Sequence, residues 1–369
     1  MLRDLRHADF QMLTVVVLLC IIGAAAIYSC TKSDLAAAGR PGAAKLQMQL
    51  VWLVIGLGVL VATMLVDPNK LQGLAWPIYL FVMGLLVIVL AAGAVRGTTR
   101  WLALGPINLQ PSELAKLAVI VMLGAVVARM DEEKWDFLFL TKTLGYVAVP
   151  ALLILLQPDL GTPIVLFFIW LIMMFIYGAN PGHLAAFALA GIMLFAGAWG
   201  FALIKPHQKA RLTSFIHPEE DPYGAAYHLH QSLIAVGSGH LWGQGLFQGK
   251  QSQSAFIPDQ ETDFVFTVVG EELGFVGAAS VLVLYGLLLY RGISVAAGAL
   301  TAFDRVVAAG IVAMFLIQVY ANIGMTIGLA PIKGMPLPFL SYGGSSLVAN
   351  LMAIGILQSI YIRREQMVF

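Results

Sequence analysis

Charged residues are scarce in this chain. Its 369 residues include 20 Asp and Glu and 21 Lys and Arg, so 11% are charged, whereas 60% are hydrophobic. A water-soluble domain carries about 25% charged residues and about 45–50% apolar ones. With a mean hydropathy of +0.87, the chain has too much apolar surface to hide from water, which indicates that its solvent is lipid. The net charge of +1 gives no sign of nucleic-acid binding, which needs a clustered basic surface.

Cysteine is almost absent, and so are the common signatures of metal and nucleotide sites. Cys20 and Cys30 lie in or beside one apolar segment, where a disulfide along a single helix is geometrically unfavourable and packing roles are expected. The histidines of the 205–262 segment lack metal-ligand spacing, so no metal site is predicted. No GxxxxGK loop indicates ATP hydrolysis. No repeat of 20–50 residues supports a repeat-built transporter.

Long apolar segments are what the chain has in abundance. A spanning helix needs about 20 mostly apolar residues, and ten segments meet that need. They are 10–30, 46–66, 72–93, 111–130, 140–157, 160–178, 182–204, 264–290, 303–328 and 344–362. The first run is longer than a signal-peptide core and is interpreted as a retained helix. The predicted fold is an all-α integral membrane protein, one polytopic domain over 1–369 with a long loop between helices 7 and 8.

Helix parity places the unusual loops on one face. An even number of spans puts both termini on one side, and the loops at 94–110, 157–159, 205–263 and 329–343 all follow odd-numbered helices. These loops are the richest in polar, Gly, Pro and aromatic residues. Lys and Arg are equally frequent on the two sides, and discounting the long loop favours cytoplasmic termini. The unusual face is then extracytoplasmic.

The loop at 205–262 is long enough to indicate a function of its own. Lys205, Lys209 and Arg211 form a small cationic group near its start. Apolar residues at helical spacing over 224–236 predict a short amphipathic helix in the membrane interface. The alternative is a solvated loop with ordinary headgroup contacts.

Asp263 stands where this loop meets an apolar helix, in the string IPDQETDFVFTVVGEELG at 257–274. Asp263 or its neighbour Thr262 caps the helix, or the aspartate acts chemically. Glu271 and Glu272 lie about 12 Å deeper on the same helix. Because acids within a span are costly, at least one of them should be hydrogen-bonded, paired or neutral.

A second polar cluster is RGTTRWLALGPINLQPSELAK at 96–116. Glu113 and Lys116 are spaced i,i+3 and can form a structural ion pair. The alternative is that Lys116 or Arg100 reaches an anionic headgroup. Trp101 suits an interfacial anchor.

Two further motifs fall on the same face. Asp159, in QPDLGT, has the position of an N-cap before an apolar run. In GLAPIKGMPLPFLSYGGSS at 328–346, three prolines prevent a continuous helix. Non-helical backbone at membrane depth is tolerated inside protein or along a cavity, so this segment is predicted to be a re-entrant or cavity-lining loop.

Together these motifs resemble one family, the SEDS proteins of cell shape, elongation, division and sporulation, over nearly the whole chain. The motifs are RWL at 100–102, QPSELAK at 110–116, QPDLGT at 157–162, TDF through GEELG at 262–274 and GMPLPFLSYGGSS at 334–346. QSLIAVGSG at 231–239 and GKQSQSAFIP at 249–258 resemble RodA members more than FtsW members. One position departs from the pattern. Glu261 stands where family members usually have His, so no role of that histidine carries over.

The resemblance implies a peptidoglycan glycosyltransferase of the bacterial cytoplasmic membrane, active on its outer face during elongation. Its substrate would be lipid II, and its partners a class B penicillin-binding protein that crosslinks the product and the elongation machinery. By similarity Asp263 is the essential carboxylate, acting as general base of an inverting transfer. A divalent cation, Mg²⁺ or Mn²⁺, could assist at the diphosphate, and no other cofactor is expected. We expect substrate contacts from Arg100, Trp101, Lys116, Asp159, Arg211 and Ser341, and supporting roles for Glu113, Thr262, Glu271 and Pro336.

Two alternatives stay open at this stage. A lipid II flippase would use the intramembrane charges Glu113, Lys116 and Glu271, although alternating access needs a midplane site reachable from both sides. A scaffold for a penicillin-binding protein would tolerate loss of Asp263, and an enzyme would not.

Overall fold

The described part of the chain is mainly helical. Its structure, a computed structural model, describes residues 7–37, 39, 41–91, 100–104, 107–130, 137–200, 209, 213, 215, 224–254, 257–331 and 334–366. The helices are α1 (Phe10–Ala37), α2 (Ala44–Leu65), α3 (Pro68–Gly73), α4 (Ala75–Ala91), α5 (Pro111–Val127), α6 (Phe137–Leu156), α7 (Gly161–Tyr177), α8 (Pro181–Gly200), α9 (Ala225–Ser238), α10 (Lys250–Gln253), α11 (Val265–Ala297), α12 (Ala302–Thr326) and α13 (Gly344–Gln366). Strands β1 (Leu102–Leu104) and β2 (Ile107–Leu109) form an antiparallel pair before α5.

Among the described residues, six helices are long and apolar enough to cross a membrane: α1, α2, α6, α11, α12 and α13. The apolar helices α4, α7 and α8 are shorter. Each of the ten predicted segments overlaps at least one helix, with 72–93 covering the end of α3 and all of α4, and the predicted break between the fifth and sixth segments is a turn at 157–160. The predicted all-helical membrane class is therefore confirmed.

Helix starts follow local chemistry. Asp67 caps α3 by accepting the Asn69 N–H at 2.8 Å, with Pro68 in the first turn. Pro111 opens α5, where its fixed φ suits a helix and its missing N–H costs nothing. The Thr301 hydroxyl caps α12 by accepting the Asp304 N–H at 3.1 Å.

The centre of the molecule is formed by α12 and α13, which are mostly buried. α12 packs against α5, α7 and α11, while α2 runs along α13. The outer faces carry large exposed apolar side chains, such as Val54 of α2 and Leu194 of α8. Such a surface requires lipid around it. Cys20 and Cys30 are free and buried, in agreement with the predicted packing role.

A helix does form where the long loop was predicted to contain one. One face of α9 is buried against the start of α11 and the end of α12, through Leu229, Ala235, Phe264 and Met325. The Ser232 hydroxyl donates to the Thr326 carbonyl at 2.7 Å. α9 therefore seals one side of the junction that carries Asp263.

Candidate active site

Asp263 lies at the end of a tight turn before α11. Asp259 adopts a left-handed conformation with φ +51°, which Asp tolerates better than most residues. Its carbonyl accepts the N–H groups of Thr262 at 3.1 Å and Asp263 at 3.0 Å. The Thr262 hydroxyl donates to the same carbonyl at 3.0 Å, so it is committed to the turn. α11 then begins at Val265. Its N-cap residue is Phe264, so the helix has no side-chain cap at that position.

The Asp263 backbone is also held from α12. The Asn322 amide Nδ2 donates to the Asp263 carbonyl at 2.9 Å and to the Met335 carbonyl at 2.7 Å. Asn322 is completely buried. One side chain therefore connects the aspartate to the proline-rich segment 334–343.

The segment 334–343 is non-helical and mostly buried, and its turn is closed by Ser341. The Ser341 hydroxyl accepts the Leu337 N–H at 2.8 Å, and the Ser341 N–H donates to the Leu337 carbonyl at 3.0 Å. The Tyr285 hydroxyl donates to the Pro338 carbonyl at 2.5 Å. These bonds give Ser341 a structural role in the loop, and Pro336 lies half-buried beside it.

Helices α1 and α2 support this segment from the other side. Gln49 of α2 donates to the Ser341 carbonyl and accepts the Gly343 N–H, each at 3.3 Å. At Gly23 of α1, a Cβ would lie 2.6 Å from the Leu340 Cα. Only glycine permits this approach of helix and loop.

The turn between α6 and α7 contacts the same segment. The Asp159 carboxylate accepts the Gly161 N–H at 2.9 Å and the Thr162 hydroxyl at 2.9 Å. The N-cap residue itself is Leu160, so the predicted N-cap position is off by one, and Asp159 bonds the first turn of α7 from the residue before it. A Cβ at Gly161 would lie 3.2 Å from the Met335 Cγ. Asp159 and Asp263 are thus linked through Met335 and Asn322.

Arg100 closes this turn from outside the helices. Its Nε donates to the Gln157 carbonyl at 3.0 Å, and an Nη group donates to the Pro158 carbonyl. A guanidinium has five N–H donors, so the two bonds leave donors for an anion. Trp101 is half-buried beside it. Arg211 lies outside the described residues.

Glu113 and Lys116 form the predicted ion pair. The Lys116 ammonium lies 2.9 Å from both carboxylate oxygens of Glu113, and both side chains are buried. This satisfies each charge locally, as a buried charge requires.

α11 is broken at Gly274, and the preceding segment 239–249, the repair loop, supplies the missing bonds. Gly274 has φ +66° and ψ −162°. In a regular helix the N–H groups of Phe275 and Val276 would donate to the carbonyls of Glu271 and Glu272. Here these two N–H groups donate to carbonyls of the repair loop, and N–H groups of the repair loop donate to the carbonyls of Glu271 and Glu272. The bonds are Phe275 to His240 at 2.8 Å, Val276 to Leu241 at 3.2 Å, Gln244 to Glu271 at 3.0 Å and Gly245 to Glu272 at 3.1 Å.

The two glutamate side chains bind the long loop as well. Glu271 accepts the Gln251 N–H at 2.7 Å, and the N–H and hydroxyl of Ser252 at 2.9 and 2.6 Å. Glu272 accepts the Phe247 N–H at 3.0 Å and the Ser29 hydroxyl. The expectation that at least one of these acids is hydrogen-bonded is confirmed, and Glu271 anchors α10.

Over the part of the chain that the structure describes, no three His, Cys, Asp or Glu side chains converge as metal ligands. Asp159 uses both carboxylate oxygens in its own turn. The described side chains therefore offer no three-ligand cluster, and Mg²⁺ in proteins is usually held by only one or two carboxylates together with substrate phosphates.

Residues 10–366 match the FtsW/RodA/SpoVE family of cell cycle proteins. The chain belongs to this family. It is 37% identical over 365 residues to the peptidoglycan glycosyltransferase MrdB of Escherichia coli, a match covering 99% of this chain and 96% of MrdB. It is 38% identical over 314 residues to the stage V sporulation protein E of Bacillus subtilis, covering 84% and 85% of the two chains.

Solved structures share the fold. A chain from a peptidoglycan synthase complex, studied for its coordination of polymerization and crosslinking, superposes with a TM-score of 0.80 at 30% identity, covering 97% of this chain and 99% of the other. The rod shape determining protein RodA of Thermus thermophilus superposes with a TM-score of 0.70 at 29% identity, covering 97% of each chain. This FtsW/RodA/SpoVE member is therefore RodA-like in sequence and fold.

Three residues around the Asp263 turn and the 334–343 segment are not predictable as site residues from the sequence alone. Asn322 and Gln49 are single amides in apolar helices, which carry no local signal of their distant backbone partners. Lys45 forms an ion pair with Glu261, the residue that departs from the family pattern, and the Glu261 carbonyl accepts the Tyr342 N–H at 2.8 Å. The unusual acid thus has a cationic partner, which a search for complementary charge could have suggested.

Proposed function

We propose that this chain polymerises lipid II into glycan strands during cell elongation, with Asp263 as the general base of an inverting transfer. The observation that carries the proposal is the Asp263 junction, the place where the 259–263 turn and the 334–343 segment are both bonded by Asn322 of α12. An acid is held at the mouth of a membrane helix by its own turn and by Asn322 of α12, which also bonds the proline-rich segment, in a chain 37% identical to a named peptidoglycan glycosyltransferase.

In this reaction a sugar hydroxyl of the acceptor replaces the diphosphate of the donor. Asp263 takes the proton of the attacking hydroxyl, and cationic side chains stabilise the negative charge of the departing diphosphate. Arg100 is the best placed of the proposed cations because its bonds close the Asp159 turn, which contacts the Asp263 junction through Met335. Lys116 would reach the donor only by leaving Glu113, and Arg211 and Trp101 complete the proposed substrate contacts.

Asp159, Ser341, Glu113, Thr262, Glu271 and Pro336 are assigned to the framework. Their described bonds shape the turns around Asp263 or anchor the long loop. No step is assigned to Mg²⁺ or Mn²⁺; a cation would reach the membrane surface with the diphosphate, whose oxygens would supply most of its ligands.

The proposed topology has ten spans in the bacterial cytoplasmic membrane, with cytoplasmic termini. The long loop between α8 and α11 and the Asp263 junction then lie on the extracytoplasmic face, where a lipid-linked donor arrives already activated. The proposed partners are a class B penicillin-binding protein, which performs transpeptidation, and the elongation machinery. This partner fits the similarity to a chain of a peptidoglycan synthase complex.

The deciding experiment is polymerisation of purified lipid II in detergent, with and without the transpeptidase partner. We expect glycan polymer from the wild type and none above background from Asp263→Asn or Asp263→Ala, at equal protein folding. Full activity of Asp263→Ala would refute the assignment. A flippase would yield no polymer but would move lipid II across liposomes, and a scaffold would support its partner equally well without Asp263.

A further inference from the structure

Asn322 is the side chain that joins the two halves of the Asp263 junction. It lies in the last turns of α12, completely buried. Its Nδ2 group donates both of its hydrogens to backbone carbonyls, of Asp263 at 2.9 Å and of Met335 at 2.7 Å. The two carbonyls belong to different segments, so each position depends on the same amide.

Apart from Asn322, the described hydrogen bonds that hold the Asp263 backbone come from neighbouring residues in the chain. The turn at 259–263 fixes the Asp263 N–H, and the Gln260 amide donates to the Thr267 hydroxyl at 2.9 Å. At the first turn of α11 the Thr267 N–H bonds to the Phe264 carbonyl at 2.9 Å. The position of the Asp263 carbonyl is therefore fixed by its hydrogen bond to α12, a central helix, and not only by its own turn.

The Met335 end carries the link further. Met335 lies against Gly161 and the Asp159 turn, which Arg100 closes. A displacement of the Met335 backbone would thus change the distance between Asp263 and the side chains proposed to meet the diphosphate. Misplacing reacting groups by about 1 Å can cost about 100-fold in rate.

We propose that Asn322 is a positioning residue for Asp263, setting the distance between the general base and the Asp159 turn that Arg100 closes. The inference deepens the proposed glycosyltransferase function and rests on it. Asn322 does not touch substrate in this proposal; it acts through the two carbonyls that it holds.

A purely structural role for a buried amide is the competing explanation, and the chain offers a matched control. Asn350 of α13 is also buried, and its Nδ2 donates at 3.3 Å to the Ser346 hydroxyl of its own helix. Replacing either asparagine with leucine, which has a similar shape, removes an equally buried amide. Only the change at Asn322 removes a bond to Asp263.

The test compares Asn322→Leu, Asn322→Gln, Asn350→Leu and Asp263→Asn in lipid II polymerisation with the full chain and its partner. We expect Asn322→Leu to lower kcat by about 10- to 100-fold while the KM for lipid II changes by less than about threefold. Asn322→Gln, which keeps the donor group, should recover part of the kcat. Asn350→Leu should keep kcat within about threefold of wild type, and thermal unfolding should show both leucine variants folded.

The outcomes separate the two proposals. If Asp263→Asn stays active, the proposed function itself fails. If Asp263→Asn is inactive but Asn322→Leu keeps wild-type kcat, the positioning role is refuted. Equal losses of kcat in the two leucine variants, or a loss in Asn322→Leu that follows its loss of folded protein, would also overturn it. A selective, partly rescued loss of kcat supports it.

Discussion

At the residue scale, the acidic residues around the candidate active site are held in place by different kinds of hydrogen bond. The described bonds of Asp159, Glu271 and Glu272 engage their carboxylate oxygens. At Asp263 the backbone is fixed on both sides, by the Asp259 carbonyl and by Asn322. The placement of Asp263 by these bonds does not depend on the charge of its carboxylate. In the proposed reaction, where Asp263 gains and loses a proton in every cycle, backbone bonds of this kind would hold it in place in both protonation states.

The ion pair of Glu113 and Lys116 allows a structural role to be separated from substrate binding. Lys116→Met should lower the free energy of unfolding by about 3–5 kcal/mol, because it leaves the buried Glu113 carboxylate without its partner. The double variant Glu113→Leu, Lys116→Met should recover most of that stability. Unfolding can be followed with a thiol-reactive dye, since Cys20 and Cys30 are buried and free.

Activity of the double variant then decides the role of Lys116. A folded double variant with wild-type polymerisation would assign the pair to structure alone. A folded but inactive one would place Lys116 at the donor, the alternative that its position in the 96–116 motif suggests.

Sequence alone could identify residues whose chemistry is conspicuous but not those whose partners are distant. Asp263 stands out as an acid at a helix mouth, and Glu113 and Lys116 share a helical face. Asn322 is 59 positions from Asp263 in the chain, and its partners are backbone carbonyls, which every residue possesses. The residues around position 322 therefore give no indication of which carbonyls Asn322 bonds.

At the element scale, the break in α11 is the feature most sensitive to substitution. At Gly274, φ is +66°, and a Cβ would lie 2.3 Å from the Gly243 nitrogen. Gly274→Ala should therefore lower the free energy of unfolding by more than about 2 kcal/mol, from backbone strain and collision together. Gly286, in the same helix, has no neighbour within 4 Å of an added Cβ.

Gly286→Ala is thus the matched control and should change the free energy of unfolding by less than about 1 kcal/mol. Thermal unfolding and proteolysis of the 239–254 segment would measure both variants. Equal stability of the two alanine variants would contradict the importance of the repair loop.

Helix positions were predictable because apolar length and proline mark them locally. The break was not, because its four compensating bonds come from a segment about 30 residues upstream. The sequence GEELGFVG predicts continuous helix, whereas Gly274 adopts φ +66° and ψ −162°, a conformation essentially restricted to glycine, and the bonds of the repair loop replace the helical ones there.

At the scale of the whole molecule, the orientation in the membrane is testable by labelling. Ser254, after α10, and Leu300, between α11 and α12, are both exposed. The proposed topology puts them on opposite faces. A membrane-impermeant maleimide should label Ser254→Cys in intact spheroplasts, and Leu300→Cys only after permeabilisation. The buried Cys20 and Cys30 should give little background, and the reverse pattern would invert the proposed orientation.

The overall architecture was the most predictable part, since every predicted apolar segment falls on helix in the described chain, six of the helices being long and apolar enough to cross a membrane. Which loops meet was only partly predictable. Parity grouped four loops on one face, but it could not show that the Asp159 turn, the 334–343 segment and Asp263 are joined by Met335 and Asn322.

The repair of α11 also bears on how the protein is made. The loop that completes the helix, at 239–249, precedes it in the chain, so it leaves the ribosome first. When the residues around Gly274 reach the membrane, the groups that bond their carbonyls and N–H groups already exist. Unpaired backbone groups in hydrocarbon are costly, and a donor segment encoded downstream would leave them exposed until its synthesis. The order of these two segments along the chain thus suits insertion that proceeds during translation.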